Sequence, residues 1–145
     1  MSHSIKNNYV GNLRTSSTHL QSGDTIITDA PTDNNGKGEA FSPTDLVSSA
    51  LCSCMTTVMG ICAAKGNFQM PNSSAKVTKV MSAEPRKISE IIVELSFEDN
   101  ELTDLQKRKL TEVAENVAKV DYNCLLYTSD AADEGLGVDL GGRRI

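Results

Sequence analysis

Residues 42–66 constrain the fold of this chain more than any other stretch. Ser42-Pro43-Thr44-Asp45 puts a serine at an N-cap, a proline at the first helical position, where its missing N–H costs nothing, and an acid at the third, within reach of the cap. A helix therefore begins at Pro43. Leu46, Val47, Ala50, Leu51, Cys54, Met55, Val58, Met59, Ile61 and Cys62 then recur over most of its circumference. Few sides are left for water, which predicts a central, buried helix. Lys65-Gly66, a cation followed by a glycine, predicts where it ends.

The rest of the chain has to supply the cover. At 145 residues with 39% apolar and 23% charged, it suits one domain with one core, not two. The net charge of −5 and the scatter of Lys and Arg argue against a nucleic-acid partner, since phosphate binding needs a basic patch. No run approaches the ~18 consecutive apolar residues of a membrane span. Met1 to Asn8 is polar, without a signal-peptide core. A cytoplasmic protein is expected, and its four cysteines are expected as reduced thiols in catalytic or packing roles.

Before the helix, Tyr9-Val10, a turn at Gly11-Asn12, Leu13 onward, a turn at Gly23-Asp24 and Thr25 to Thr28 read as an antiparallel meander. Asp29 to Glu39, with Pro31, Asn34, Asn35, Gly36 and Gly38, has neither period and forms a loop of a length that often serves a site. After Pro71, Ala75 to Met81 and Ile88 to Phe97 are strands joined by a hairpin at the Glu84-Pro85-Arg86-Lys87 break. A second helix, capped by Thr103, carries Leu105, Leu110, Val113, Ala114 and Val117. Two helices with short antiparallel strands make the fold class α+β.

Gly36-Lys37-Gly38-Glu39-Ala40-Phe41-Ser42-Pro43-Thr44-Asp45-Leu46, leading into Ala50-Leu51-Cys52-Ser53-Cys54-Met55 and Val58-Met59-Gly60-Ile61, resembles the OsmC/Ohr family of peroxide-detoxifying proteins, over roughly residues 5–118. The resemblance implies antiparallel sheets packed around a long buried central helix, in an intertwined homodimer with active sites at the subunit interface. It also implies thiol-dependent reduction of a small organic hydroperoxide, recycled by an external thiol, without a cofactor or a metal. Cys54 matches the family's peroxide-reacting cysteine, which attacks the O–O bond as a thiolate. Cys52 stands where related sequences commonly carry glycine and Cys62 where they carry alanine; both are read as packing residues.

A thiolate in apolar surroundings needs a cation, and the resemblance points to an arginine on an early strand. Arg14 is the only arginine before the helix. For the acid that orients it, the Ohr branch carries glutamate where this chain has Thr44, so its neighbour Asp45 becomes the candidate. Asp45 equally has a local explanation as a capping acid. Nine residues along a helix are ~13 Å and half a turn out of phase, so Asp45 could approach Cys54 only across a dimer interface. The family's second, resolving cysteine has no counterpart in Glu115-Asn116-Val117-Ala118-Lys119. Cys52 and Cys54 are ~200° apart on the helix, and Cys54 and Cys62 ~12 Å apart along it, so neither can form a disulfide with Cys54.

Other readings are a non-catalytic OsmC-like protein that binds a small apolar ligand at the dimer interface, and a metal site at Cys52-Ser53-Cys54. The second is weak, because Cys-x-Cys in a helix points its sulfurs apart and His3 and His19 have no ligand-like spacing to it. From Cys124 onward, Cys-Leu-Leu-Tyr-Thr-Ser-Asp-Ala-Ala-Asp-Glu and then Val-Asp-Leu-Gly-Gly-Arg-Arg-Ile resemble translated sequencing-library adaptor in the order a library carries it. The expected division is an OsmC-like domain over 1–123, truncated at its C-terminus, and a non-native tail over 124–145. Cys124, Arg143 and Arg144 then carry no functional weight, and the tail should add nothing to the fold.

Overall fold

A computed structural model describes residues 3–97 and 101–126, with side chains through Ala118. Strands β1 (Ile5–Gly11), β2 (Arg14–His19) and β3 (Thr25–Asp29) come first, then a 3-10 turn at Thr32–Asn34. Helix α1 (Pro43–Lys65), strands β4 (Ser73–Ser82) and β5 (Lys87–Phe97) and helix α2 (Asp104–Leu126) follow. These are the elements expected from the sequence, in an α+β arrangement of two helices and two small antiparallel sheets. The chain divides into two compact units, Met1–Val47 and Ser48–Ile145.

In the first unit β1, β2 and β3 form a meander with β2 in the middle. The β1–β2 turn runs through three successive residues of positive φ, Gly11 at 92°, Asn12 at 52° and Leu13 at 60°. Such a φ is costly for a leucine, and the turn is pinned by the Ala30 N–H, which donates to the Leu13 carbonyl at 3.0 Å. Across the sheet, hydroxyls pair in place of aliphatic side chains: Thr15 with Thr28 at 2.6 Å and Thr18 with Thr25 at 3.2 Å. The buried side chains of this unit are polar, namely Thr28, Asp29 and Ser42, while Ile5, Tyr9, Val10, Ile26, Ile27 and Phe41 are exposed.

The loop after β3 is tightly wound. The Pro31 carbonyl accepts the Asn34 and Gly36 N–H groups at 2.9 and 3.0 Å, and the Ala30 carbonyl accepts that of Gly38 at 3.3 Å. Gly36 lies so close to this backbone that a Cβ would fall 1.7 Å from the Ala30 oxygen. No side chain fits there.

In the second unit β4 and β5 pair antiparallel, joined by a turn over residues 83–86. Met55, Met59 and Ala63 of α1, Val93 of β5 and Leu110 and Ala114 of α2 form the buried core, with Leu51, Cys52, Cys62, Phe68, Ile91 and Leu95 packed against it. Both helix boundaries were predictable from cap chemistry, with one adjustment. At the end of α1 it is Asn67, not Gly66, that turns left-handed, at φ 54°. Its N–H reaches the Ala64 carbonyl at 3.2 Å and that of Phe68 reaches Ala63 at 3.1 Å, the double closure of a Schellman turn. Gly66 is needed for space, since a Cβ there would meet the Phe68 ring at 2.6 Å. Helix α2 starts with a capping box: the Thr103 N–H donates to Gln106 Oε1 at 2.8 Å, and the Gln106 N–H to Thr103 Oγ1 at 3.3 Å.

One expectation needs revision. The buried residues of α1 are Ser48, Met55, Met59 and Ala63, a single stripe and not most of the circumference. One hairpin and one helix cover one face of a 23-residue helix, so its other apolar positions stay half-buried or exposed. Helix α2 continues to Leu126, so residues 124–126 of the expected tail have helical backbone, while their packing lies outside the described side chains. The remainder of the expected tail, 127–145, lies outside the described residues.

Candidate functional site

Three cysteines lie on α1, and all three are half-buried thiols without a disulfide. Their surroundings differ. Cys52 and Cys62 pack against the core cluster, as packing residues should, and burial pushes the Cys52 thiol above its ordinary range, which makes it a poor nucleophile at neutral pH. Cys54 is one position from Met55 and lies off the buried stripe. Helical spacing aligns it with Ala50, Val58 and Ile61, of which Ala50 and Ile61 are exposed and Val58 half-buried. Cys54 thus sits on an apolar helix face that the chain leaves partly open. Nearby hydroxyls are turned back into the helix, Ser53 Oγ donating to the Ser49 carbonyl at 2.8 Å and Thr56 Oγ1 to the Cys52 carbonyl at 3.1 Å.

The first unit carries Arg14, the other candidate, in a charged cluster of its own. Arg14, at the start of β2, stands opposite Asp29, at the end of β3, in the strand register. Its guanidinium donates through Nε to Asp29 Oδ1 at 2.6 Å and through Nη2 to Asp29 Oδ2 at 2.8 Å, a two-pronged pair that holds the plane of the group. Nη2 also donates to Glu39 Oε2 at 2.9 Å. The Glu39 N–H donates to Asp29 Oδ2 at 3.1 Å, and the Asp29 N–H to the Phe41 carbonyl at 3.1 Å. Asp29 is 1% exposed. The hydrogen bond from Arg14 holds its carboxyl below the usual aspartate range against the opposing pull of burial, and the same bond fixes Arg14 still more firmly in its charged form.

Asp45 is occupied at the start of α1. Its Oδ2 accepts from the Ser42 N–H at 2.8 Å and Ser42 Oγ at 2.7 Å, and its own N–H donates to Ser42 Oγ at 3.1 Å. This is the capping role that was the alternative reading of this residue. The acids placed on Arg14, Asp29 and Glu39, were missed in the sequence. A signal for Asp29 existed, because pairing Thr18 with Thr25 around the Gly23-Asp24 turn carries the register to Arg14 and Asp29. Among the described residues no group of three or more His, Cys, Asp or Glu side chains is placed to hold a metal ion.

A family model described as OsmC-like protein matches residues 36–128, which takes in the loop, α1, the hairpin and α2. The chain belongs to the OsmC-like family. Among solved structures, a protein of Psychrobacter arcticus 273-4 described as an osmotic stress induced and detoxification response protein is 47% identical. That comparison covers 82% of this chain and 88% of the other, with a TM-score of 0.77. An OsmC-like protein of unknown function from Vibrio cholerae shares the fold at 14% identity and a TM-score of 0.64, over 90% of this chain and 94% of that one. A comparison with curated proteins found no match. Helix α1 is long and apolar enough to cross a bilayer by length and composition alone, as core helices of globular domains can be; here it carries Met55, Met59 and Ala63 into the core with β5 and α2.

Proposed function

We propose that this OsmC-like protein reduces organic hydroperoxides with Cys54 as the nucleophile. The observation that carries the reading is the placement of Cys54: alone of the three described thiols it lies off the packed core, on an apolar, partly open helix face, where an alkyl hydroperoxide could lie against Ala50, Val58 and Ile61. The thiolate attacks the outer peroxide oxygen and the O–O bond breaks. The sulfur loses two electrons and becomes a sulfenic acid, and the alkoxide leaves and takes up a proton as the alcohol. A first external thiol condenses with the sulfenic acid, releasing water and forming a mixed disulfide; a second displaces Cys54 and restores the thiolate. The detoxification response ascribed to the Psychrobacter arcticus protein, 47% identical, supports this chemistry. A reducing cytoplasm supplies the thiol.

Arg14 is the cation proposed to favour the thiolate. A homodimer completes the reading, a second copy covering the apolar positions of α1 and of the first sheet that the single chain leaves open. The deciding experiment follows hydroperoxide consumption with excess dithiol for the wild type and for Cys54→Ser, Cys52→Ala and Cys62→Ala. Turnover should be lost in the first and kept in the other two. Undiminished turnover in Cys54→Ser would leave the second reading, a non-catalytic protein whose open apolar face binds a small apolar ligand.

A further inference from the structure

Asn35-Gly36, in the wound loop of the first unit, is a dipeptide with a chemistry of its own. Glycine has no Cβ to keep an asparagine side chain from the next backbone nitrogen, so Asn-Gly is the sequence in which that nitrogen most readily attacks the asparagine Cγ. The new C–N bond closes a five-membered succinimide, and the side-chain nitrogen leaves as ammonia, taking the amide proton. Water then opens the ring at either carbonyl, giving aspartate or isoaspartate. Isoaspartate routes the main chain through its side chain and so makes it one carbon longer.

Asn35 is exposed, yet the loop withholds the nucleophile. The Gly36 N–H donates to the Pro31 carbonyl at 3.0 Å, which retains the proton that attack must shed. Asn35 is left-handed, at φ 59° and ψ 13°. At this ψ the Gly36 nitrogen nearly eclipses the Asn35 nitrogen and stands roughly a third of a turn from Cβ, by the tetrahedral geometry of Cα. Ring closure requires it to eclipse Cβ. Turning it there moves Gly36 off the Ala30 backbone, against which a Cβ would fall 1.7 Å from the oxygen. The loop must therefore open before Asn35 reacts.

The longer product no longer fits. The Pro31 carbonyl accepts the N–H groups of both Asn34 and Gly36, at 2.9 and 3.0 Å, and an extra carbon between them separates the pair. The Gly38 N–H bond to Ala30 and the Glu39 N–H bond to Asp29 Oδ2 come next along the chain, so an opened loop also deprives the buried Asp29 carboxylate of a donor.

We propose that Asn35 is a self-modification site, held unreactive by the wound loop and converted to aspartate or isoaspartate when the loop opens, and that isoaspartate fixes the loop open. The chain then carries an irreversible record of its own loosening.

The test incubates full-length protein at neutral pH in native buffer and in urea. Peptide mapping follows residue 35, and enzymatic carboxyl methylation identifies isoaspartate. Conversion should be more than about tenfold faster in urea, while Asn34 and Asn67, followed by Asn35 and Phe68, stay intact. Gly38→Ala places a Cβ on a residue at φ 64° and 3.0 Å from Thr32 Cγ2; it should loosen the loop and speed conversion several-fold in native buffer. Equal rates with and without urea, or an unchanged native rate in Gly38→Ala, overturn the latch; if Gly38→Ala fails to fold, the wild-type comparison alone decides. No conversion in urea, or equal conversion at Asn34 and Asn67, overturns the site. Wild type aged for long periods in native buffer supplies the isoaspartyl form without refolding. Hydrogen exchange at Gly36 and Gly38 should be protected in its unconverted chains and in Asn35→Asp, which adds the charge without the extra carbon, and unprotected in isoaspartyl chains. Protection in isoaspartyl chains, or its loss in Asn35→Asp, overturns the fixing role.

Discussion

A carboxylate as deeply buried as Asp29 is tolerable only when its oxygens are met by donors, and three hydrogen bonds from Arg14 and the Glu39 backbone meet them. The consequence is a pH dependence of known sign. With its folded pKa depressed, Asp29 contributes stability that is fully present above the ordinary aspartate value of about 3.9 and is lost as pH falls through the lower folded value. Thermal unfolding followed from about pH 5 to about pH 2 should therefore fall less steeply for Asp29→Asn than for the wild type; parallel curves would contradict it. Cys54 was singled out through a motif contiguous in sequence. Arg14 was singled out through the same resemblance, whereas the acids bonded to it were not foreseen: Asp29 is set by strand register and Glu39 by the path of a wound loop. Asp45 shows the converse, a local pattern with a local answer at the cap.

The elements themselves were largely readable, because what starts and stops them is short-range. Ser42 and Asp45 begin α1, and Thr103 and Gln106 begin α2, by hydrogen bonds spanning three residues. Which face an element buries was less readable, since apolar spacing does not say what is available to cover it. Helix α2 makes the distinction measurable. Leu105 and Leu110 both belong to its apolar series, yet Leu105 is 63% exposed and Leu110 1%. Leu110→Ala should cost about 2–5 kcal/mol through lost burial and a cavity beside Met59 and Val93, and Leu105→Ala no more than about 0.5 kcal/mol. Denaturant unfolding of the two variants separates them, and equal losses would mean that the core is not where Leu110 puts it.

For the molecule as a whole, the distribution of apolar burial is the main finding. The buried apolar residues, Met55, Met59, Ala63, Val93, Leu110 and Ala114, all come from the second unit, while the first keeps Thr28, Asp29 and Ser42 inside and leaves most of its large apolar side chains exposed. The proposed dimer should sediment as a two-chain species at micromolar concentration; a single-chain species there would contradict it. The same exposure has a meaning for a newly made chain. Until covered, Ile5, Tyr9, Val10, Ile26, Ile27 and Phe41 present the kind of surface that chaperones and proteases recognise. On this reading an orphan copy has a limited lifetime, set by a race between encounter and removal. The amount of surviving protein would then rise more steeply than the rate of its synthesis.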